Sequence, residues 1–211
     1  MTTVASQDFD SAAFLRLGTA TLYEASKLNC FLPPRIRPVW AGAAVVGRAL
    51  PVTTGPADNL PLHIALELAR PGDVLVVDGR QEACGYWGEV LSAAAAARGV
   101  LGLVIDGGVR DTDQLRERGF PVFSSSVAVR TTVKDDAGTV GDPITLGGVP
   151  VARGDLVVAD ADGVVVIPRL SADAVLAAGL AREAAEAGYL SRIAEGELTL
   201  DIYGFRPAGT D

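Results

Sequence analysis

Residues 88–111 read GEVLSAAAAARGVLGLVIDGGVRD, and three of their side chains could do chemistry: Glu89, Arg110 and Asp111. A planar guanidinium such as that of Arg110 grips a carboxylate or an enolate oxygen. A carboxylate such as Asp111 is a hard oxygen ligand, and Mg²⁺ or Mn²⁺ is commonly held by one or two of these plus several waters. The helix expected to open at Gly88 presents N–H groups that lack intrahelical partners, and its macrodipole places partial positive charge there. Such an end favours a carboxylate or phosphate, and glycines at 85 and 88 let backbone and ligand approach closely. Each feature also has a plainer explanation. Glu89 stabilises its own helix start, and Arg110-Asp111 caps a following helix at 112–118.

The elements that must bring these residues together are legible from period and punctuation. Asp73–Asp78 (DVLVVD) is an apolar run of the kind buried on both faces of a parallel sheet. A glycine-containing loop at 79–87 leads to a helix at 88–98 and a second strand at 100–105, which turns on Gly107-Gly108. With both strands parallel, the loops after Asp78 and after Asp106 leave the same C-terminal edge, where α/β sheets bind ligands. Upstream, the pattern gives short helices at 10–17 and 19–28, a β segment at 43–53, a loop at 54–61 and an amphipathic helix at 62–69 closed by Pro71-Gly72. Downstream come a helix near 113–118, a run of short strands from 126, and a long helix from about 171 to 195. The order of elements suggests a mixed sheet plus a second sheet, in one domain spanning 1–211.

Composition removes several classes of function. The 211 residues are 49% hydrophobic, which suits a large buried core. The formal net charge is −8, with no basic cluster, so neither a nucleic acid nor an anionic membrane is the expected partner. The start MTTVASQDFDSAAF has no signal-like apolar core, and Cys30 and Cys84 form no framework, so the expected location is cytoplasmic. One histidine, His63, excludes a His-rich metal site within a chain. Lysine occurs only at 27 and 134, in segments that read as solvated, so Schiff-base chemistry is not expected. Carboxylates, arginine and backbone groups remain. Cys84, Tyr86 and Trp87 flank the anion-binding turn and are candidates to wall a pocket, Trp87 being equally a candidate for the core.

The stretch WGEVLSAAAAARGVLGLVIDGGVRD, with twenty residues between Glu89 and Arg110, resembles the RraA-like family. That family comprises metal-dependent 4-hydroxy-4-methyl-2-oxoglutarate and 4-carboxy-4-hydroxy-2-oxoadipate aldolases together with regulators of ribonuclease E activity. The likeness continues through GPADNLPLHIALELARPGDVLVVDG upstream and GFPVFSS, GDLVVADADGVVVIP and GELTLDIYG downstream. It implies an α/β fold, a three-layer β/β/α sandwich akin to swivelling phosphohistidine domains with a C-terminal helix, assembled as homotrimers or hexamers. It also implies a Mg²⁺ or Mn²⁺ ion bound by Asp111, with Glu186 of a neighbouring subunit acting through water and Glu183 as the alternate. Arg110 would hold the keto oxygen and carboxylate of a small 2-oxo acid, and the amides of Gly88, Glu89, Val90 and Leu91 would receive that carboxylate. The aldolases of the family have Asp where this chain has Glu89.

The chemistry so implied is cleavage of a 4-hydroxy-2-oxo acid to pyruvate and a second carbonyl compound, with oxaloacetate decarboxylation as a side activity through the same enolate. Glu89 would hold the water that serves as base. The alternative is a non-catalytic protein-binding regulator of the ribonuclease type. Those regulators resemble a pattern with an acidic pair three residues past Arg-Asp; here Gln114 and Leu115 stand there, which favours the enzyme. A methyltransferase would need a glycine-rich nucleotide loop, and VVDGRQEACGYWG lacks one.

Overall fold

Residues 9–206 are described by a computed structural model. Helix α1 (Ser11–Ser26) begins at Asp10, whose carboxylate accepts from the Ala13 N–H at 3.1 Å. It kinks at Gly18 (φ 75°, ψ 163°) and restarts at Thr19, whose N–H and hydroxyl both donate to Asp160 at 2.7 Å. The two helices expected at 10–17 and 19–28 are therefore present, joined through a glycine that alone adopts this backbone without strain.

Then follow β1 (Arg37–Pro38), β2 (Val45–Thr53), α2 (Leu60–Leu68), β3 (Asp73–Asp78), α3 (Glu89–Ala97), β4 (Gly102–Val109), α4 (Thr112–Glu117) and β5 (Val122–Val127). Five short strands come next: β6 (Thr139–Val140), β7 (Ile144–Leu146), β8 (Val149–Val151), β9 (Leu156–Ala159) and β10 (Val164–Ile167). The chain finishes with α5 (Ala172–Ala194) and α6 (Thr199–Ile202). The main sheet runs β1-β5-β4-β3-β2-β9-β10, with β2 to β5 parallel and β1, β9 and β10 antiparallel to their neighbours; β6 pairs with the end of β2 and β7–β8 form a separate hairpin.

Side-chain alternation sorts the apolar residues into layers. Leu50, Val52, Leu75, Val77, Leu103 and Ile105 face α2, α3 and α4. Their alternates Ala49, Val74, Val76 and Val104 face inward, where the β7–β8 hairpin and Val157 and Val166 of β9 and β10 close over them. The other face of β9 and β10 is covered by α1 and α5 through Leu17, Leu22 and Val175. The sheet thus curls round an inner core with helices outside, which is the expected β/β/α arrangement. Among the described residues no helix is long and apolar enough to cross a membrane.

Strand β4 departs from expectation. The apolar run does not turn at Gly107-Gly108 but continues to Val109, because one extra residue is absorbed as a bulge. Ile105 pairs with Ser124 and Gly108 with Ser126, so three steps on β4 match two on β5. Glycines read as a turn are here sites of close backbone approach.

The loop before α2 is held by a buried carboxylate. Asp58 accepts from the N–H groups of Leu60 (2.9 Å), Asp135 (2.7 Å) and Asp136 (2.8 Å). Burial pushes its pKa up, but the three N–H donors and the Lys134 ammonium outweigh that and leave it below the usual carboxylate value. With the folded pKa depressed, the unfolded chain binds the proton more readily, so the contribution is complete above the unfolded pKa of about 3.9 and is lost as pH falls through the folded one. Urea unfolding of Asp58→Asn is expected to show a deficit of about 2 kcal/mol at pH 7 that closes below about pH 4. A deficit independent of pH down to about 2 would exclude this role for the charge.

Candidate functional site

The site forms where β4 ends beside the start of α3. A bridge between Trp87 and Val109 continues the parallel pairing past β3, and the Arg110 N–H donates to the Trp87 carbonyl at 2.9 Å. Gly88 is extended (φ −162°, ψ −162°) and α3 begins at Glu89. The Trp87 indole N–H donates to Ser92 Oγ (2.6 Å), which donates in turn to the Gly88 carbonyl (3.1 Å), and the Trp87 ring stacks on Phe120. The first turn of α3 is thereby fixed against β4.

Tyr86 ties this turn to the neighbouring loop. Its hydroxyl accepts from the Ala57 N–H (2.9 Å) and donates to the Gly55 carbonyl (3.2 Å), while the Asn59 side-chain amide donates to the Tyr86 carbonyl (3.0 Å). Burial raises the pKa of the Tyr86 phenol and of the Cys84 thiol above their usual values, so both stay protonated near neutrality. Cys84, Tyr86 and Trp87 are fully buried and are core rather than pocket wall.

The glycines at 85 and 88 make room for the chain's own side chains. A Cβ at Gly85 would lie 2.8 Å from Arg110 Cδ, and one at Gly88 would lie 3.2 Å from Arg110 Cγ and 2.3 Å from Asp111 Oδ2. The Arg110 stem therefore rests on a glycine floor with its guanidinium exposed, Nε 3.9 Å from Asp111 Oδ2. Asp111 adopts left-handed backbone (φ 59°, ψ 40°), a conformation Asp tolerates better than most residues.

That conformation sends the Asp111 carboxylate back to α3 and not into the helix that follows it. Oδ2 accepts from the Glu89 N–H at 3.0 Å, and no side-chain cap on α4 forms. So the partial positive charge at the start of α3 already holds one carboxylate, and the Glu89 amide is engaged. The Val90 and Leu91 amides lie in the same first turn, where no intrahelical carbonyl is available. The Glu89 side chain turns away to Arg118, whose Nη2 and Nε donate to Oε1 at 2.7 and 3.2 Å.

Glu183 and Glu186 lie elsewhere in the chain. They are on α5, over β9 and β10, where Glu186 pairs with Arg182 at 2.9 Å and Glu183 pairs with Arg16 of α1. His63 is exposed on α2, with desolvation and the Lys134 charge pushing its pKa down. Two contacts carry no signal in the sequence. One is Arg118 on Glu89. The other is the bidentate pair of Arg35 with buried Asp106 (2.9 and 2.6 Å), which clamps the segment before β1 onto β4 at the bulge.

Among the described residues no three His, Cys, Asp or Glu side chains converge, so one chain offers a cation at most the two carboxylates flanking the α3 start. That donor set fits Mg²⁺ or Mn²⁺, which take one or two carboxylates and keep several waters, and does not fit zinc.

The model of the family described as "RraA-like: Aldolase/RraA" matches residues 19–166. A relative from Halalkalibacterium halodurans, named "Putative 4-hydroxy-4-methyl-2-oxoglutarate aldolase", is 32% identical over 173 residues, which are 82% of this chain and 82% of that protein. Among solved structures, Streptomyces coelicolor RraAS2, described as an unusual member of the RNase ES inhibitor RraA protein family, aligns with a TM-score of 0.74 at 28% identity over 86% of this chain and 96% of its own. The RNA-processing inhibitor RraA from Thermus thermophilis aligns with a TM-score of 0.65 at 29% identity over 71% and 92%. With the family model running from the second half of α1 into β10 and the Arg110-Asp111 pair within it, the chain belongs to the RraA-like family.

Proposed function

We propose that the protein is a divalent-metal-dependent lyase that cleaves a 4-hydroxy-2-oxo acid, of the 4-hydroxy-4-methyl-2-oxoglutarate type, to pyruvate and a second carbonyl compound. Oxaloacetate decarboxylation accompanies it as a side activity. The observation that carries this reading is the placement of the Arg110 guanidinium and the Asp111 carboxylate together at the start of α3. The name borne by the Halalkalibacterium relative supports it.

Asp111 would hold Mg²⁺ or Mn²⁺, and Glu186 of the partner subunit, or Glu183 in its place, would contribute through water in a trimer or hexamer. When bound, the cation supplies Lewis acidity towards the 2-oxo oxygen. The amides of Gly88, Val90 and Leu91 receive the C1 carboxylate, that of Glu89 being engaged by Asp111. Arg110 stabilises the negative charge that develops on the C2 oxygen. Glu89 holds the water that takes the C4 hydroxyl proton. The C3–C4 electron pair passes into the pyruvate enolate, C3 then takes a proton, and C4 leaves as a carbonyl.

Pyruvate release from 4-hydroxy-4-methyl-2-oxoglutarate and from oxaloacetate is expected with Mg²⁺ or Mn²⁺ and is expected to fall to background with EDTA. Release that persists in EDTA removes the metal from the mechanism. No release from either substrate by folded, metal-loaded protein favours the protein-binding regulator, the reading to which the likeness to the two RraA structures points.

A further inference from the structure

The geometry points to Arg118 as the positioning residue for Glu89, a pair that sets how tightly the site takes its cation; this rests on the metal-dependent reading above. Glu89 spans two places. Its amide is 3.0 Å from Asp111 Oδ2, and its carboxylate is gripped through one oxygen by two nitrogens of the Arg118 guanidinium, at 2.7 and 3.2 Å. Among the described residues its other oxygen takes no hydrogen bond and is free to hold a water.

Arg118 is not a loose surface arginine. Its N–H donates to the Gln114 carbonyl at 3.0 Å as the end of α4, and Phe120, two residues on, stacks on Trp87 and accepts at its carbonyl from the Trp40 indole N–H. The backbone that carries the guanidinium is therefore tied to the same Trp87-Gly88 turn that starts α3. An aspartate at 89 is one methylene shorter and would fall short of Arg118 with the backbone in place. The glutamate at 89 is what lets the carboxylate leave Asp111 and reach its partner.

The two side chains are 40% and 44% exposed, so the pair adds little to stability. Its effect is local charge. With Arg118 present, Glu89 is neutralised and directed away from Asp111. Without Arg118, an uncompensated carboxylate stands one side-chain length from the cation position and is free to swing into it. Attraction between a divalent ion and a single charge across that distance in a water-like medium changes affinity about five- to tenfold, less at high salt.

Mn²⁺ dissociation constants, read from the EPR signal of free Mn²⁺ at low salt, test the pair alongside pyruvate-release kinetics. Arg118→Gln is expected to bind Mn²⁺ about five- to tenfold more tightly than the unmodified protein, with kcat about tenfold lower and KM within about threefold. Glu89→Gln is expected to bind Mn²⁺ more weakly, the double variant to return close to the unmodified value, and Arg118→Lys to keep the unmodified affinity. General damage to the fold weakens metal binding, so tightening in Arg118→Gln is a signature that a purely structural role does not produce. Affinity in Arg118→Gln equal to or weaker than that of the unmodified protein overturns the assignment. If the unmodified protein binds Mn²⁺ but releases no pyruvate, the lyase reading fails while the affinity shift still decides the pair. If it binds no Mn²⁺, both fall.

Discussion

Asp111→Asn is expected to lower metal-dependent pyruvate release by on the order of 1000-fold while leaving the fold in place. Asparagine tolerates the left-handed backbone found at 111 (φ 59°) and keeps a side-chain oxygen able to accept from the Glu89 N–H. The glycine floor under Arg110 is untouched, so the guanidinium stays where it is. What disappears is the negative charge that would hold a hard cation, and with it the Lewis acidity that ion would supply. A loss of three powers of ten corresponds to about 4 kcal/mol of transition-state stabilisation, a reasonable share for a metal ion. The thermal midpoint should move by no more than about 3 °C. Retention of most of the activity in folded Asp111→Asn would remove Asp111 from the metal site.

Gly108→Ala tests the scaffold beneath that chemistry. The Gly108 N–H donates to the Glu82 carbonyl at 2.9 Å and its carbonyl accepts from the Tyr86 N–H at 3.1 Å, so the 82–86 loop lies directly on the β4 bulge. An added Cβ would fall 2.4 Å from the Cys84 carbonyl oxygen and 2.8 Å from the Cys84 nitrogen. Both are backbone atoms in a buried segment and cannot rotate away. The loop must lift, and lifting it disturbs the Tyr86 contacts to residues 55–59 as well as the Trp87-Gly88 turn. Overpacking of this kind costs about 3 kcal/mol, or about 6–12 °C in thermal midpoint for a chain of this size. Activity should fall with it, since Arg110 loses its seat. A midpoint within about 2 °C of the unmodified protein would show that the loop adapts without strain.

The strand at 73–78, the helix at 88–98 and the parallel neighbours were legible because their signals are local. DVLVVD is a strand buried on both faces wherever it sits, and an alanine run between two glycines has few alternatives to a helix. Parallel β3 and β4 follow from the helix between them, and with them the shared edge at which Arg110 and Asp111 emerge. The break in α1 was also legible, as the boundary between the helices at 10–17 and 19–28 that falls at Gly18.

The bulge at Gly107-Gly108 was not, because a glycine pair has the same local signature in a turn as in a strand that another loop must touch. Nor could local pattern separate Cys84, Tyr86 and Trp87 as core from the same residues as pocket wall. The loop that carries them is set by Gly108, more than twenty positions away. Asp111 had the right spacing to cap its own helix, yet its carboxylate serves the start of α3. The sequence by itself determined which residues carry charge, and which sheet edge receives them. The tertiary structure alone decided their partners: Asp111 with the α3 amide, Glu89 with Arg118, Asp106 with Arg35. Chain connectivity and side-chain period act over a few residues, whereas an ion pair is settled by whichever opposite charge the folded backbone brings within about 3 Å.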